Sequence, residues 1–389
     1  IHAGRVRAEA TLFHRRERDG IDYIRGSPEE IWRAANFERL RFTGPASAGL
    51  RLELPISDID ASRVEGSVRF AGNRFEPLAD LPPFEKLRGE IGFTRDGIRF
   101  EGLRAEWLGG EIVASGDGRG DVLTIEGEGR ATAAGLARLV PPRFAPAISG
   151  GFDYRGELRF DRDGARIGIN SDLAGLGVDL PAPLDKPQGA LRPARLELQP
   201  AEGRRGTQRV RLLVGATGAE GIELLAETGG PAAPRLALGV GIEPALPEAG
   251  FALRLRMAEL DVDRWREFLD AGVDPLSGPD ELPRPDRLSM RVDAARIARK
   301  SIEDLEIEAR RQEGAWTARV HSRQADGELE WREADDAEPG GVLVARFSRL
   351  EVPESEADDF GSLLGEAPHT LPALDVRADR FTLGAMDLG

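Results

Sequence analysis

The chain has 389 residues, 40% of them hydrophobic and 31% charged, with a formal net charge of −15. That acidic balance argues against nucleic acid as a ligand, because binding there rests on neutralising phosphates, and the hydrophobic fraction argues against wholesale disorder. Cysteine is absent, which excludes disulfides, thiolate catalysis and Cys-ligated metals.

The chain opens at Ile1 rather than Met and stops at Gly389 within a predicted strand, so the expectation is a piece of a longer protein. The longest uncharged runs, Phe42–Leu50 and Phe144–Phe152, are nine residues each, whereas a membrane-spanning helix needs about twenty. No signal peptide is visible. The first predicted element is a helix over 27–36, opened by Ser27-Pro28 with Glu30 three residues after the cap, a capping box. Strands follow as short alternations bounded by glycine. Val64–Phe70 is one, and Leu87–Phe93 is another, with Leu87, Ile91 and Phe93 on one face and Arg88 and Glu90 on the other. Asp96-Gly97 then signals a hairpin into Ile98–Glu101. Gly116–Asp121 reads as a turn between strands, since it lacks the spaced acids of a calcium loop. The pattern continues at Asp121–Glu128, Phe152–Phe160, Arg166–Asn170, Arg195–Leu198, Arg209–Val214, Gly327–Trp331 and Gly341–Val352. Short helices are predicted over 132–140, over 263–270 from an Asp263 cap with Trp265, Phe268 and Leu269 on one face, and over 355–364. A faint repeat aligns Leu288–Asp293 with Leu374–Asp379, each after a Leu-Pro pair. The Pro-rich stretches Pro141–Pro146 and Asp274–Pro285 are candidate breaks. These divide the chain into modules over 1–140, 141–270 and 271–389, read as stretches of one continuous sheet truncated at both ends.

Candidate chemistry is sparse. The histidines His2, His14, His321 and His369 are scattered, and no metalloprotease, nucleophile-elbow or phosphate-loop motif occurs. The acid groups Asp58–Asp60, Asp261–Asp263 and Asp358–Asp359 could form a glycosidase pair, but only 6% of the chain is aromatic, few for sugar stacking. Caps and solvated turns explain them, and Asp335–Gly341 reads as an acidic hairpin tip. No catalytic residue, metal or cofactor is expected. Fifty of the 53 basic residues are Arg, which reflects composition rather than function.

Strands with one apolar and one charged face need a cover for the apolar side, and the helices are too few to supply it. A second sheet would give a sandwich; a sheet curled lengthwise would give a groove filled by lipid tails. Periodicity does not separate the two.

The strings themselves resemble the periplasmic AsmA-like proteins, within them the YhdP branch. Ala48–Ile56 is similar to that family's "L-x-L-x-[IL]-P-[IL]" strand and Val64–Asn73 to its "V-x-G-x-V-x-[FL]-x-x-N". Leu87–Gly97 resembles "L-x-G-x-[IL]-x-F-T-x-x-G", closed by Trp107-Leu108-Gly109-Gly110. Ser171–Pro187 resembles "S-x-L-x-G-[LV]-x-x-x-L-P-x-P-x-x-K", and Leu260–Trp265, Gly327–Trp331 and Leu371–Gly389 have counterparts in the same order. The resemblance implies an all-β fold: a long, strongly twisted antiparallel sheet curled into an open hydrophobic groove, bridge-like, with three or four short helices. It implies a periplasmic segment, tethered to the inner membrane through an N-terminal helix outside this sequence, that shields phospholipid acyl chains on the way to the outer membrane. Outer-membrane or periplasmic proteins would be its partners, with no nucleic acid. The residues expected to line the groove are Leu50, Leu52, Leu54, Val68, Phe70, Ile91, Phe93, Ile98, Phe100, Leu158, Phe160, Ile167, Ile169, Val292, Leu329 and Trp331, a smooth lining without strong anchoring charges. A non-transport spacer or adhesive β-sandwich is the alternative; a carbohydrate-active β-solenoid is disfavoured by the low aromatic content.

Overall fold

Alternation of apolar and charged residues becomes strand wherever the structure, a computed structural model, describes the chain: residues 5–14, 41–55, 63–76, 82–204, 206–216, 221–231, 233–271, 284–297, 300–332, 341–352, 373–383 and 386–387. The predicted helices over 27–36 and 355–364, and the acids at 58–60, 335–336 and 358–359, lie outside these residues. The chain forms two compact units, residues 1–179 with 185–212, and residues 180–184 with 213–389.

The first unit is an antiparallel meander. Its strands are β1 (Arg5–His14), β2 (Arg41–Thr43), β3 (Ala46–Pro55), β4 (Arg63–Glu76), β5 (Phe84–Thr94), β6 (Gly97–Trp107), β7 (Gly110–Arg119), β8 (Val122–Thr132), β9 (Ile148–Asp161), β10 (Gly164–Ser171), β11 (Leu176–Val178) and β12 (Ala194–Pro200). β1 pairs with β3, and each strand from β3 to β9 pairs with the next. β2 and β3 lie along one edge of β4 as a broken strand. Along β9, β10 and β11 do the same, and β12 closes on β10. The predicted Asp-Gly hairpin is the β5–β6 turn, where Phe93 opposes Ile98. Register shifts mark β4, β5 and β6 near Asn73, Arg88 and Leu103. Such bulges bend a strand and raise its twist.

After β13 (Gln208–Val214), the second unit carries β14 (Ile222–Thr228), β15 (Arg235–Val240), β16 (Gly250–Asp261), β17 (Arg287–Ile297), β18 (Lys300–Gln312), β19 (Ala315–His321), β20 (Ala325–Arg332), β21 (Val342–Val352), β22 (Ala373–Ala378), β23 (Phe381–Leu383) and β24 (Met386–Asp387). The all-β expectation holds, but the sheet is mixed rather than antiparallel. β15 with β16, β16 with β17, and β21 with β22 and β23 are parallel. Parallel neighbours need a crossover of about a dozen residues or more; residues 262–286 and 353–372 supply one before β17 and β22, whereas β16 follows β15 across the shorter stretch 241–249. The faint repeat has a structural meaning, because both of its copies, in β17 and β22, lie parallel to the strand before them.

Helices are short. The segment predicted as 132–140 is α1 (Ala133–Leu136), capped by Thr132 accepting from the Gly135 N–H, followed by a 3-10 turn over Pro142–Ala147. α2 (Val262–Ala271) matches the helix predicted over 263–270, with Trp265 and Phe268 edge to face at 6.2 Å. Its cap is Asp261 rather than Asp263: the Arg264 N–H donates to Asp261 Oδ1 at 3.0 Å, so the helix begins one residue sooner.

The Ser171–Pro187 string is a structural knot. Ser171 Oγ donates to the Asp153 carbonyl at 2.7 Å and accepts from the Leu173 N–H at 2.9 Å. The buried Lys186 ammonium donates to the Leu176 carbonyl at 2.7 Å and the Pro187 carbonyl at 3.3 Å. Burial, aided by Arg192, lowers its pKa.

Glycines on the apolar face make room for rings. A Cβ added at Gly116 would sit 2.5 Å from the Phe100 ring, and one at Gly66 would sit 2.2 Å from Phe93. Gly116→Val should therefore displace Phe100 and lower stability by about 1–3 kcal/mol, as overpacked cores do. Gly168→Ala, whose Cβ would meet nothing within 4 Å, is the control. Thermal melts that leave both variants at the wild-type temperature would remove Phe100 from its place over Gly116.

Asp161 tests the β9–β10 turn. Burial pushes its carboxyl up, but the Asp163 N–H and the Arg166 and Arg159 guanidiniums outweigh this and hold it below the usual carboxylate range. A depressed folded pKa contributes stability above the unfolded value, lost as pH falls through the folded one. Asp161→Asn should cost up to about 1 kcal/mol at neutral pH, with the gap to wild type closing below about pH 4, as chemical denaturation across pH would show.

Candidate functional site

Residues paired across strands share a face, and alternate residues along each strand return to it. Followed through the first unit, the register joins the predicted lining into three adjacent rows. The first passes through Ala48, Val68, Ile91, Phe100, Gly116, Ile125, Leu158, Ile167 and Leu198. Beside it lie Leu50, Gly66, Phe93, Ile98, Gly118, Leu123, Phe160 and Ala165. On the other side come Phe70 and Gly89, then Leu103, Ala114, Gly127, Gly156, Ile169 and Leu196. Leu103 bridges the bulge, its side chain 2.6 Å from where a Gly89 Cβ would be.

These rows contain no charged residue. Val68, Phe70, Phe100, Leu103 and Leu123 are buried, while Leu50, Ile91, Phe93, Ile98, Leu158, Phe160, Ile167 and Ile169 are partly exposed. Leu52 and Leu54 occupy alternate positions of β3 after Leu50, opposite Val64 and Val6, and their side chains fall outside the described residues. Ala114, Leu123, Ile125 and Leu103 belong to the face although the sequence reading passed over them. The two-residue hairpin turns, which lock register, were the signal that could have found them.

An aromatic ladder borders this face. Phe42 stacks on Phe75 at 4.4 Å, Phe75 on Phe84 at 5.7 Å and Phe84 on Trp107 at 5.2 Å, and Trp107 meets Tyr154 edge-on at 5.8 Å. The Trp107 indole N–H donates to the Pro82 carbonyl at 3.0 Å. The Tyr154 hydroxyl is buried with no hydrogen-bond partner among the described residues, and burial raises its pKa.

The opposite face is charged. Arg69 pairs with Glu90 at 2.7 Å, Arg104 with Glu111 at 2.8 Å and Arg130 with Asp153 at 2.9 Å. The Ser67 hydroxyl and the Arg69 guanidinium hold Glu90 below the usual carboxylate range. Among the described residues, the buried cluster around Phe100 and the residues packed on it come from β2 to β8, and those around Val292 come from β16 to β20, so each face packs against its own neighbouring strands.

In the second unit Val292 is fully buried, in a cluster with Ala295, Leu305 and Val320. Leu329 packs against that cluster and continues a row through Leu288, Ala309, Ala318 and Ala345. Trp331 opposes Trp316 and Leu343. Arg311 stands opposite Trp316, a cation in register with the apolar rows and a departure from the smooth lining expected.

The remaining polar candidates have structural places. The turn expected over Gly116–Asp121 is shorter than that: Gly116–Arg119 continue β7, paired with Val122–Ile125 of β8, and only Gly120-Asp121 join the two strands. Asp261 caps α2 and lies 3.6 Å from Arg296. His321 Nδ1 and Asp326 Oδ2 are 2.9 Å apart, on a cross-strand pair at the surface. Among the described residues no group of three or more His, Asp or Glu is placed to hold a metal ion, and no helix is long and apolar enough to cross a membrane.

A protein-family model described as YhdP protein matches residues 13–389. Comparison with curated proteins and with solved structures gives no match. The matched region contains every string that carries the resemblance, and both units apart from residues 1–12. The chain therefore belongs to the YhdP family.

Proposed function

We propose that the apolar face is a path for phospholipid acyl chains, and that the chain is a segment of a periplasmic lipid-transfer protein held at the inner membrane by a helix outside this sequence. The observation that carries the reading is the set of uncharged, partly exposed rows crossing the first unit from β3 to β12. Contiguous apolar surface of this kind is what a lipid or another apolar ligand would occupy. Acyl chains would gain about 25 cal/mol per Å² removed from water without meeting a charge, while headgroups stay toward solvent. The work is passive: no residue performs chemistry, and no cofactor takes part. Family membership supports the same reading, since AsmA-like proteins are understood as lipid-transfer grooves.

Purification from a Gram-negative host followed by mass spectrometry of bound lipid is the direct test. Phospholipid should co-purify with the chain and be lost from Ile91→Asp, whose site is partly exposed, with the melting temperature little changed. Phe100→Asp should instead unfold the unit, because it buries an uncompensated charge at several kcal/mol. Arg88→Ser and Glu90→Ser, on the wet face, should alter neither lipid nor stability by more than about 1 kcal/mol. Should every inward Asp destabilise in proportion to burial with no separate effect on lipid, the face is a packing surface and the chain a spacer.

A further inference from the structure

Opposed arginines recur on the charged face, and acids neutralise them. Arg159 and Arg166 face each other and share Asp161; Arg346 and Arg377 share Asp375; Arg88 faces Arg104, which bonds Glu111; and Arg256 faces Arg291, which bonds Glu306. Arg287 and Arg310 are also directly opposed. Among the described residues neither forms an ion pair. Like charges set opposite each other in a sheet are destabilising, so this pair stands at a cost that no acid among the described residues offsets.

The pair borders a cavity of about 350 Å³ lined by Ala249, Gly250, Asp286, Arg287, Arg310, Arg311 and Gln312. Its one acid is already engaged: Asp286 Oδ2 accepts from the Phe251 N–H at 2.9 Å. Asp286 also ties the strands together, donating its N–H to the Phe251 carbonyl at 2.7 Å and accepting from the Arg311 N–H at 2.8 Å. Arg287 and Arg310 reach the cavity from the charged face. Arg311, in register with Trp316 and Trp331, reaches it from the apolar one. The cavity thus lies where the apolar face ends, with three guanidiniums around one carboxylate.

We propose that this cavity binds a phosphate oxyanion, as the headgroup phosphate of a lipid whose tails lie on the adjoining apolar face. Guanidiniums suit the task because their planar forks match phosphate oxygens two at a time. The inference rests on the acyl-chain reading above and adds a polar station to it. A lipid whose tails lie on the second unit's apolar rows then meets a stop at which an anionic headgroup is held and a neutral lipid is not.

The experiment titrates the full chain with three probes: dihexanoylphosphatidylglycerol, dihexanoylglycerol and inorganic phosphate. Wild type should bind the phospholipid at least about tenfold more tightly than the neutral glyceride, the worth of one charge-assisted contact. Arg287→Gln with Arg310→Gln should erase that preference and leave glyceride affinity within about twofold. Should the double variant misfold, Arg310→Gln alone should cut the preference, and Arg287→Lys with Arg310→Lys should restore part of it. Binding of inorganic phosphate that is lost in the glutamine variants, with no gain from added acyl chains, would keep the phosphate station and assign it to the free anion. If neutral glyceride fails to bind wild type while phosphate binds through the arginines, the acyl-chain path fails and the station stands. A headgroup preference undiminished by the glutamine variants overturns the station and leaves the path intact.

Discussion

A sheet that is apolar on one face and charged on the other is the constraint on which the rest of the structure depends. Among the described residues its strands bury their hydrophobic residues against one another, in one cluster drawn from β2 to β8 and another from β16 to β20. Phe100 lies over Gly116 and Phe93 over Gly66, and Val68, Phe70, Leu87 and Leu103 are buried on the strands that carry the register shifts, β4, β5 and β6. Rings over glycines cover apolar area that a flat sheet would expose. That is also why the glycines recur inside strands, where they would otherwise weaken the ladder.

The charged face does different work. Its pairs, such as Arg69 with Glu90 and Arg319 with Glu328, are exposed and contribute roughly 0–1 kcal/mol each. What they supply is register. A one-residue slip would turn every apolar row outward and every charge inward, which makes the alternation itself the specification of the open face. The buried polar groups are exceptions with local reasons: Lys186 pins the knot at β11 through two carbonyls, and Glu227 is held by Arg235 on β15.

Two-residue turns join β5 to β6, β6 to β7, β7 to β8 and β9 to β10, and the antiparallel registers they set keep the apolar rows of the first unit unbroken. In the second unit, the stretch after β15 and the helix α2 after β16 carry the chain back to start a parallel neighbour. The entry residues Gly250 and Asp286 then meet at one strand end, where Gly250 adopts a φ of +78° and a Cβ would strike Asp286 Oδ2 at 2.1 Å. The arginine-lined cavity is a product of that crossover.

Strand identity, the charged and apolar sides, the Asp-Gly hairpin and the helix 263–270 were legible in the chain because each depends on residues within a few positions of one another. The strings from Ala48 to Lys186 likewise carried the family. Which apolar residues fall in one row was less legible: Leu103 joins Ala114 and Ile169 only through a bulge and several registers, and Asp261 rather than Asp263 caps α2 because the preceding strand delivers the chain there. Nothing near Arg287 in sequence announces Arg310 or Gly250. Local alternation determines that a strand has two different faces; pairing over long separations decides which strands share them, whether another layer covers them, and where charges gather at their ends.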